Sequence, residues 1–263
     1  MQHTTTTKQT TARHRSIGTI LAGLLLAVLL AGCGHVAAAV PGASPAASAS
    51  PPVTATEITA PSPTAIVART GGAVDVYDAP GDVDPARTLS ATTAFGTPTV
   101  LLVSQVGAGD ADGWLQVLLP VRPNGTTGWI KASDVELRDV ALEIVVDLDE
   151  RELTVLDDGE ELLTTPTAIG HDANPTPTGR FFVIDKLETP DPGGAYGPYA
   201  IGLSAHSEVL TEFGGGDGQI GIHGTNAPAS IGRPVSHGCL RVDNDVIERL
   251  AHLLPLGTPV TIV

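Results

Sequence analysis

The chain has 263 residues, 14 Lys+Arg against 29 Asp+Glu, and a formal net charge of −15. That length fits one or two domains, and the acidic balance argues against a non-specific nucleic-acid binder, which needs clustered Lys and Arg to meet phosphates. Two cysteines cannot build a disulfide-dense scaffold: they allow one bridge at most, or two sulfurs with separate roles.

The first 32 residues hold Lys8, Arg13 and Arg15 and no acid, and the apolar run Ile17–Leu30 lies within them. A positive segment ahead of a short apolar one is the pattern of a secretory signal peptide. The run is shorter than the ~20 residues that a spanning helix needs. It ends in Leu30-Ala31-Gly32-Cys33, which resembles the lipobox of bacterial lipoproteins. The resemblance implies cleavage before Cys33, lipidation of its sulfur, and an extracytoplasmic body held at the outer face of the membrane, because two acyl chains anchor stably where one does not. Loss of residues 1–32 would take the formal charge from −15 to −18. Residues 34–64 are mostly Ala, Pro, Ser, Thr, Val and Gly, a composition that predicts a semi-extended, disordered tether.

From Ile66 onward short strand-like runs alternate with turns. Val74–Tyr77 alternates, Thr99–Val103 is β-branched and apolar, and Asp112-Gly113 precedes Trp114–Leu119. Asn124-Gly125 is a hairpin signal ahead of Gly128-Trp129-Ile130. Short strands at close spacing predict a small β-barrel. Gly113-Trp114-Leu115-Gln116-Val117 and Thr127-Gly128-Trp129-Ile130-Lys131, followed by Asp134-Val135, resemble a bacterial SH3-like domain, assigned to residues 65–138. Such a resemblance is compatible with wall binding and with packing on a catalytic partner, and the two Trp fit either a core or a ligand contact.

A second β-rich unit is expected over residues 140–263. Leu142–Leu148 and Arg151–Leu156 flank an acidic turn, and Asp158-Gly159 marks the next. Glu161–Ile169, Arg180–Ile184, Ile220–His223 and Pro259–Val263 read as strands, and Gly214–Gly218 as a flexible loop. The one convincing helix is Asn244–Leu254, where Val246, Ile247, Leu250, Leu253 and Leu254 share a face. Asp243 can cap it, and Pro255 with Gly257 ends it. His206 and His252 read as surface or capping residues, His171 as a loop residue, and Tyr196 and Tyr199 as parts of a loop over the site. The expected fold is therefore mainly β, a small barrel followed by a β-rich domain with one main helix near the C-terminus.

The chemistry concentrates in Gly221-Ile222-His223-Gly224-Thr225-Asn226 and in Ser236-His237-Gly238-Cys239-Leu240-Arg241. If Cys33 carries lipid, Cys239 has no intramolecular partner, and an unpaired thiol outside the cell needs a role. The thiolate is the nucleophilic form, favoured by nearby His or Arg, and a Cys beside a His is the usual acyl-transfer arrangement. Flanking glycine lets backbone N–H groups approach a developing oxyanion. The bland alternatives are an inert buried cysteine and a metal site, for which His223, His237 and Cys239 lack a clear fourth ligand.

His223-Gly224-Thr225 followed by Ser236–Arg241 resembles the signature of the L,D-transpeptidase (YkuD-type) catalytic domain. Asn174-Pro175-Thr176-Pro177-Thr178-Gly179-Arg180-Phe181 and Val146-Asp147-Leu148 with Leu153-Thr154-Val155 extend the resemblance across residues 140–263. It implies Cys239 as nucleophile and His223 as general base and acid, with the Gly224 carbonyl orienting the imidazole. It also implies the N–H groups of Gly238 and Cys239 at the oxyanion, and Arg241 stabilising the site or meeting a substrate carboxylate. His237 competes for the base role by its closeness to Cys239, whereas the family pattern gives it a site-shaping one. Ser236 either bonds within the site or supports the loop.

The implied reaction moves the acyl group of a peptidoglycan tetrapeptide stem to an amine of a neighbouring stem, with no cofactor and no metal. Water as acceptor would make the enzyme an L,D-carboxypeptidase, and carbapenem-type inhibitors are expected to acylate Cys239. The rivals are a papain-like cell-wall endopeptidase, in which the Cys precedes its His, and a non-catalytic wall-binding lipoprotein.

Overall fold

The computed structural model describes residues 65–212 and 216–263. The expected signal peptide, lipidated Cys33 and tether, and residues 213–215 of the glycine-rich loop, lie outside the described residues.

The first part of the chain supplies seven strands: β1 (Ala65–Thr70), β2 (Val74–Val76), β3 (Arg87–Leu89), β4 (Val100–Val106), β5 (Trp114–Leu118), β6 (Thr127–Lys131) and β7 (Val135–Val140). Five form an antiparallel sheet in the order β6-β5-β4-β1-β7, and β2 pairs with β3. Alternation decides what is buried: Leu115 and Val117 of β5 face the core while Gln116 between them does not. Asn124-Gly125 lies in the connection between β5 and β6 as expected, with Gly125 at φ +79, a conformation that glycine adopts without a Cβ clash. Trp114 and Trp129 are half-buried, Tyr77 packs edge-on against Trp114 with centroids 5.1 Å apart, and Lys131 Nζ lies 5.2 Å from the Tyr77 ring centre.

The second part supplies β8 (Leu142–Asp147), β9 (Glu152–Asp157), β10 (Glu160–Pro166), β11 (Ile169–Gly170), β12 (Gly179–Glu188), β13 (Tyr199–His206), β14 (Gln219–His223), β15 (Pro234–Ser236), β16 (Leu240–Arg241), α1 (Asn244–Leu253) and β17 (Pro259–Ile262). Eight of these strands form a sheet in the order β10-β9-β8-β17-β12-β13-β14-β16, and β11 pairs with β15. The acidic turn after β8 is built by Asp147, whose carboxylate accepts from the N–H groups of Asp149 and Glu150 at 2.9 Å each. The molecule is mainly β with one α-helix among the described residues. No helix among them is long and apolar enough to cross a membrane.

Several expectations need correction. The segment expected as one strand from Glu161 to Ile169 is two, β10 and β11, which part after Pro166, one residue before the last bond to the β9 side, from the Thr167 N–H to the Arg151 carbonyl at 2.8 Å. β13 falls where no strand was expected. Tyr199 is its first residue rather than part of a loop, and His206, its last, is buried rather than on the surface. The Asp243 side chain makes no capping bond although it holds the N-cap position. At the other end of α1, Lys186 from β12 donates to the carbonyls of Ala251 and Leu254 at 3.1 and 2.7 Å, satisfying groups that a helix end leaves open.

β12 connects the two cores. Phe181 and Val183 on one face join the cluster formed with α1, β13 and β14. Phe182 and Ile184 on the other join the core of the first sheet, beside Val67, Leu101 and Leu102. Both sides of this strand are thus apolar because each faces a different layer.

Candidate active site

Two short strands bring the catalytic candidates together. β14 ends in His223, β16 follows directly on Cys239, and the two pair in parallel with His223 level with Arg241 and Ile222 with Leu240. The pairing is extended by Val242 N–H, which donates to the His223 carbonyl at 3.1 Å. Ile222 and Leu240 are fully buried and hold this register from below.

The imidazole is fixed by the residue after it. His223 Nδ1 lies 2.6 Å from the Gly224 carbonyl. A carbonyl only accepts, so Nδ1 carries the proton and Nε2 keeps the lone pair of the neutral ring. The carbonyl is held in turn by helix α1, because Asn244 Oδ1 accepts from the Thr225 N–H at 2.8 Å. A side chain at Gly224 or at Gly197 would run into Asn244 Oδ1, so glycine here permits a close backbone approach.

The turn that carries Cys239 is tied down by two hydroxyls. Ser236 Oγ donates to the Cys239 carbonyl at 2.6 Å and accepts from the Gly238 N–H at 3.1 Å. Thr176 Oγ1 accepts from the Gly170 N–H and donates to the Gly238 carbonyl, both at 2.9 Å. Gly238 sits at φ +117, where an L side chain is strained. This revises one expectation: the Gly238 N–H is engaged by Ser236, and the Cys239 N–H is the candidate oxyanion donor of this turn. Ser236 and Thr176 hold the peptide plane that aims it.

Electrostatics set the resting protonation. Burial lowers the His223 pKa to about 4; the bond to Gly224 opposes this and Arg241 reinforces it. Burial pushes the Cys239 thiol up, against a backbone hydrogen bond from Gly221 and the charge of Arg241. At neutral pH the pair is therefore a thiol beside a free-base imidazole, not a preformed ion pair.

Cys239, His223, Arg241, Ser236, His237 and Tyr196 line one cavity of about 270 Å³. Tyr196 lies in the loop between β12 and β13 as expected, its ring centre 4.7 Å from that of His223. His237 is exposed and packs edge-on against His171 at 5.6 Å, whereas the buried His223 imidazole lies against the Gly224 carbonyl. Arg241 Nε is a buried donor with no hydrogen-bond partner among the described residues. His252 is exposed on α1, near the Glu248 carbonyl. No group of three or more His, Cys, Asp or Glu among the described residues is placed to hold a metal ion. Thr176 and Asn244 are the supporting side chains to which the sequence assigns no role. Thr176 lay inside a motif already noted, and a polar residue opening a helix is a signal for Asn244.

The family model for the L,D-transpeptidase catalytic domain, YkuD, matches residues 142–262. The Bacillus subtilis protein named L,D-transpeptidase YkuD is 37% identical over 123 residues, covering 47% of this chain and 66% of that protein. The Bacillus subtilis protein named L,D-transpeptidase YqjB is 35% identical over 130 residues, covering 45% of this chain and 69% of that protein. This chain thus spans about two thirds of the length of these curated relatives. Among solved structures, L,D-transpeptidase 3 from Mycobacterium tuberculosis in complex with a faropenem-derived adduct is 16% identical with a TM-score of 0.41, covering 62% of this chain and 90% of that one. On its match to the family model and its identity to these relatives, the chain belongs to the L,D-transpeptidase family.

Proposed function

We propose that this chain is a peptidoglycan L,D-transpeptidase that works through a Cys239 thioester. The observation that carries the reading is the His223–Gly224 bond beside Cys239, which leaves Nε2 as the basic nitrogen in the same cavity as the thiol. Cys239 Sγ attacks the carbonyl carbon at an L-centre of a tetrapeptide stem, and its proton passes to His223 Nε2. The C–S bond forms, the oxyanion faces the Cys239 N–H, and collapse breaks the C–N bond to the terminal D-amino acid, which leaves with the proton from His223. An amine of a second stem then attacks the thioester, His223 takes its proton, and the departing sulfur recovers it. The unpartnered Arg241 Nε supports a substrate that brings a carboxylate.

The same reading includes a mature lipoprotein, anchored through Cys33 to the outer face of the cell membrane and held in the wall by the 34–64 tether. The sequence pattern supports it. The five-stranded first sheet with its Tyr77/Trp114/Lys131 cluster supports the SH3-like assignment. A thiol on the wall of a cavity supports acylation by carbapenems.

Purified protein incubated with disaccharide-tetrapeptides from sacculi tests the activity. Cross-linked dimers and a free D-amino acid are expected, together with an acyl adduct on Cys239 by intact mass, all lost in Cys239→Ala. Tripeptide without dimers would turn the reading to an L,D-carboxypeptidase, and unchanged peptides would turn it to a non-catalytic lipoprotein.

A further inference from the structure

We propose that Arg122 and Asn124, on the first sheet's β5–β6 connection, are positioning residues of the active site. This inference rests on the acyl-transfer reading above. β13 pairs with β12 only as far as Leu203 opposite Val183, so beyond that point its outer edge needs other partners. Asn124 supplies them at His206: its Nδ2 donates to the His206 carbonyl at 2.8 Å and its Oδ1 accepts from the His206 N–H at 2.9 Å. One side-chain amide thus does what a neighbouring strand would do.

Arg122 continues the grip. Its Nη2 donates to the carbonyls of Ser207 and Leu210 at 3.1 and 3.0 Å. Ser207 Oγ closes the turn between them by accepting from the N–H groups of Val209 and Leu210 at 3.3 and 3.0 Å. Ser207 and Leu210 are wall residues of the cavity that holds Cys239, His223 and Arg241. The wall is therefore fixed from the first sheet, by residues that belong to no catalytic motif. Neither side chain lines that cavity, so they act on the shape of the site and not on the thiol. The first sheet thereby shapes the cavity that holds Cys239, His223 and Arg241.

Asn124→Ala and Arg122→Ala in the otherwise intact protein test this. Each is expected to raise KM for a disaccharide-tetrapeptide donor about tenfold while kcat stays within about twofold, with Arg122→Lys recovering most of the loss. Amide hydrogen exchange over residues 206–210 is expected to quicken about tenfold in Asn124→Ala with the rest of the chain protected as before, which separates a loosened wall from a misfolded protein. Unchanged exchange, or quickened exchange with wild-type KM, overturns the proposal. A wild-type protein that does not turn over the peptide overturns the enzymatic reading instead, and exchange alone then decides the clamp.

Discussion

Thr176 Oγ1 donates to the carbonyl of Gly238 at 2.9 Å across 62 residues of sequence, and so fixes the peptide plane whose other end is the Cys239 N–H. Thr176→Val keeps the shape and removes the hydroxyl, leaving the Gly170 N–H and the Gly238 carbonyl without this partner. A buried group stripped of its partner costs about 1–3 kcal/mol. The expected outcome is a kcat about tenfold lower with KM little changed, and recovery in Thr176→Ser. Steady-state kinetics checks it, with a denaturation midpoint to confirm folding.

The pH profile should carry the mark of a buried base. With His223 at about 4, the acid limb of kcat/KM is expected near pH 4 rather than near the 6.5 of a solvated imidazole. Stability follows the same sign. The unfolded chain binds the His223 proton at a higher pH than the folded one does, so stability is full above about 6.5 and falls as pH drops towards 4. The loss is on the order of 3 kcal/mol. His223→Gln should flatten that part of the stability curve, measured by urea unfolding at pH 7.5 and 4.5.

Asn244 reaches from the start of α1 to the loop that orients the base. Asn244→Ala is expected to lower kcat by roughly tenfold to a hundredfold, because it loosens the Gly224 carbonyl and with it the direction of Nε2. Asn244→Asp keeps the acceptor for the Thr225 N–H and should restore most of the rate. Wild-type kcat in Asn244→Ala would show that His223 is held without the helix.

Arg241→Gln removes the cation that faces both His223 and Cys239. KM for a donor with a free C-terminal carboxylate should rise about tenfold or more, whereas an amidated donor should show little change. Equal losses with both donors would move Arg241 from substrate binding to a purely electrostatic role.

The catalytic centre was more legible in the sequence than the architecture around it. His223, Cys239 and the helix at Asn244 stand in short motifs whose residue types declare their chemistry. β13 is hidden because Ala200, Gly202 and Ser204 dilute its signal, although Ile201, Leu203 and Ala205 alternate and are fully buried. Thr176, Asn124 and Arg122 act through backbone groups far away in sequence, and no local pattern reports such a partner. The family resemblance puts the Gly238 N–H at the oxyanion, and no local pattern reports that the Ser236 hydroxyl occupies it.

The double allegiance of β12 bears on how this protein can be handled. Phe182 is fully buried and Ile184 nearly so, both under the first sheet. A fragment cut after Val140 would bare that side of the strand to water while keeping every candidate catalytic residue. Such a truncated enzyme would carry a sticky back, prone to self-association, and its solubility would become the limiting property in any assay built on it.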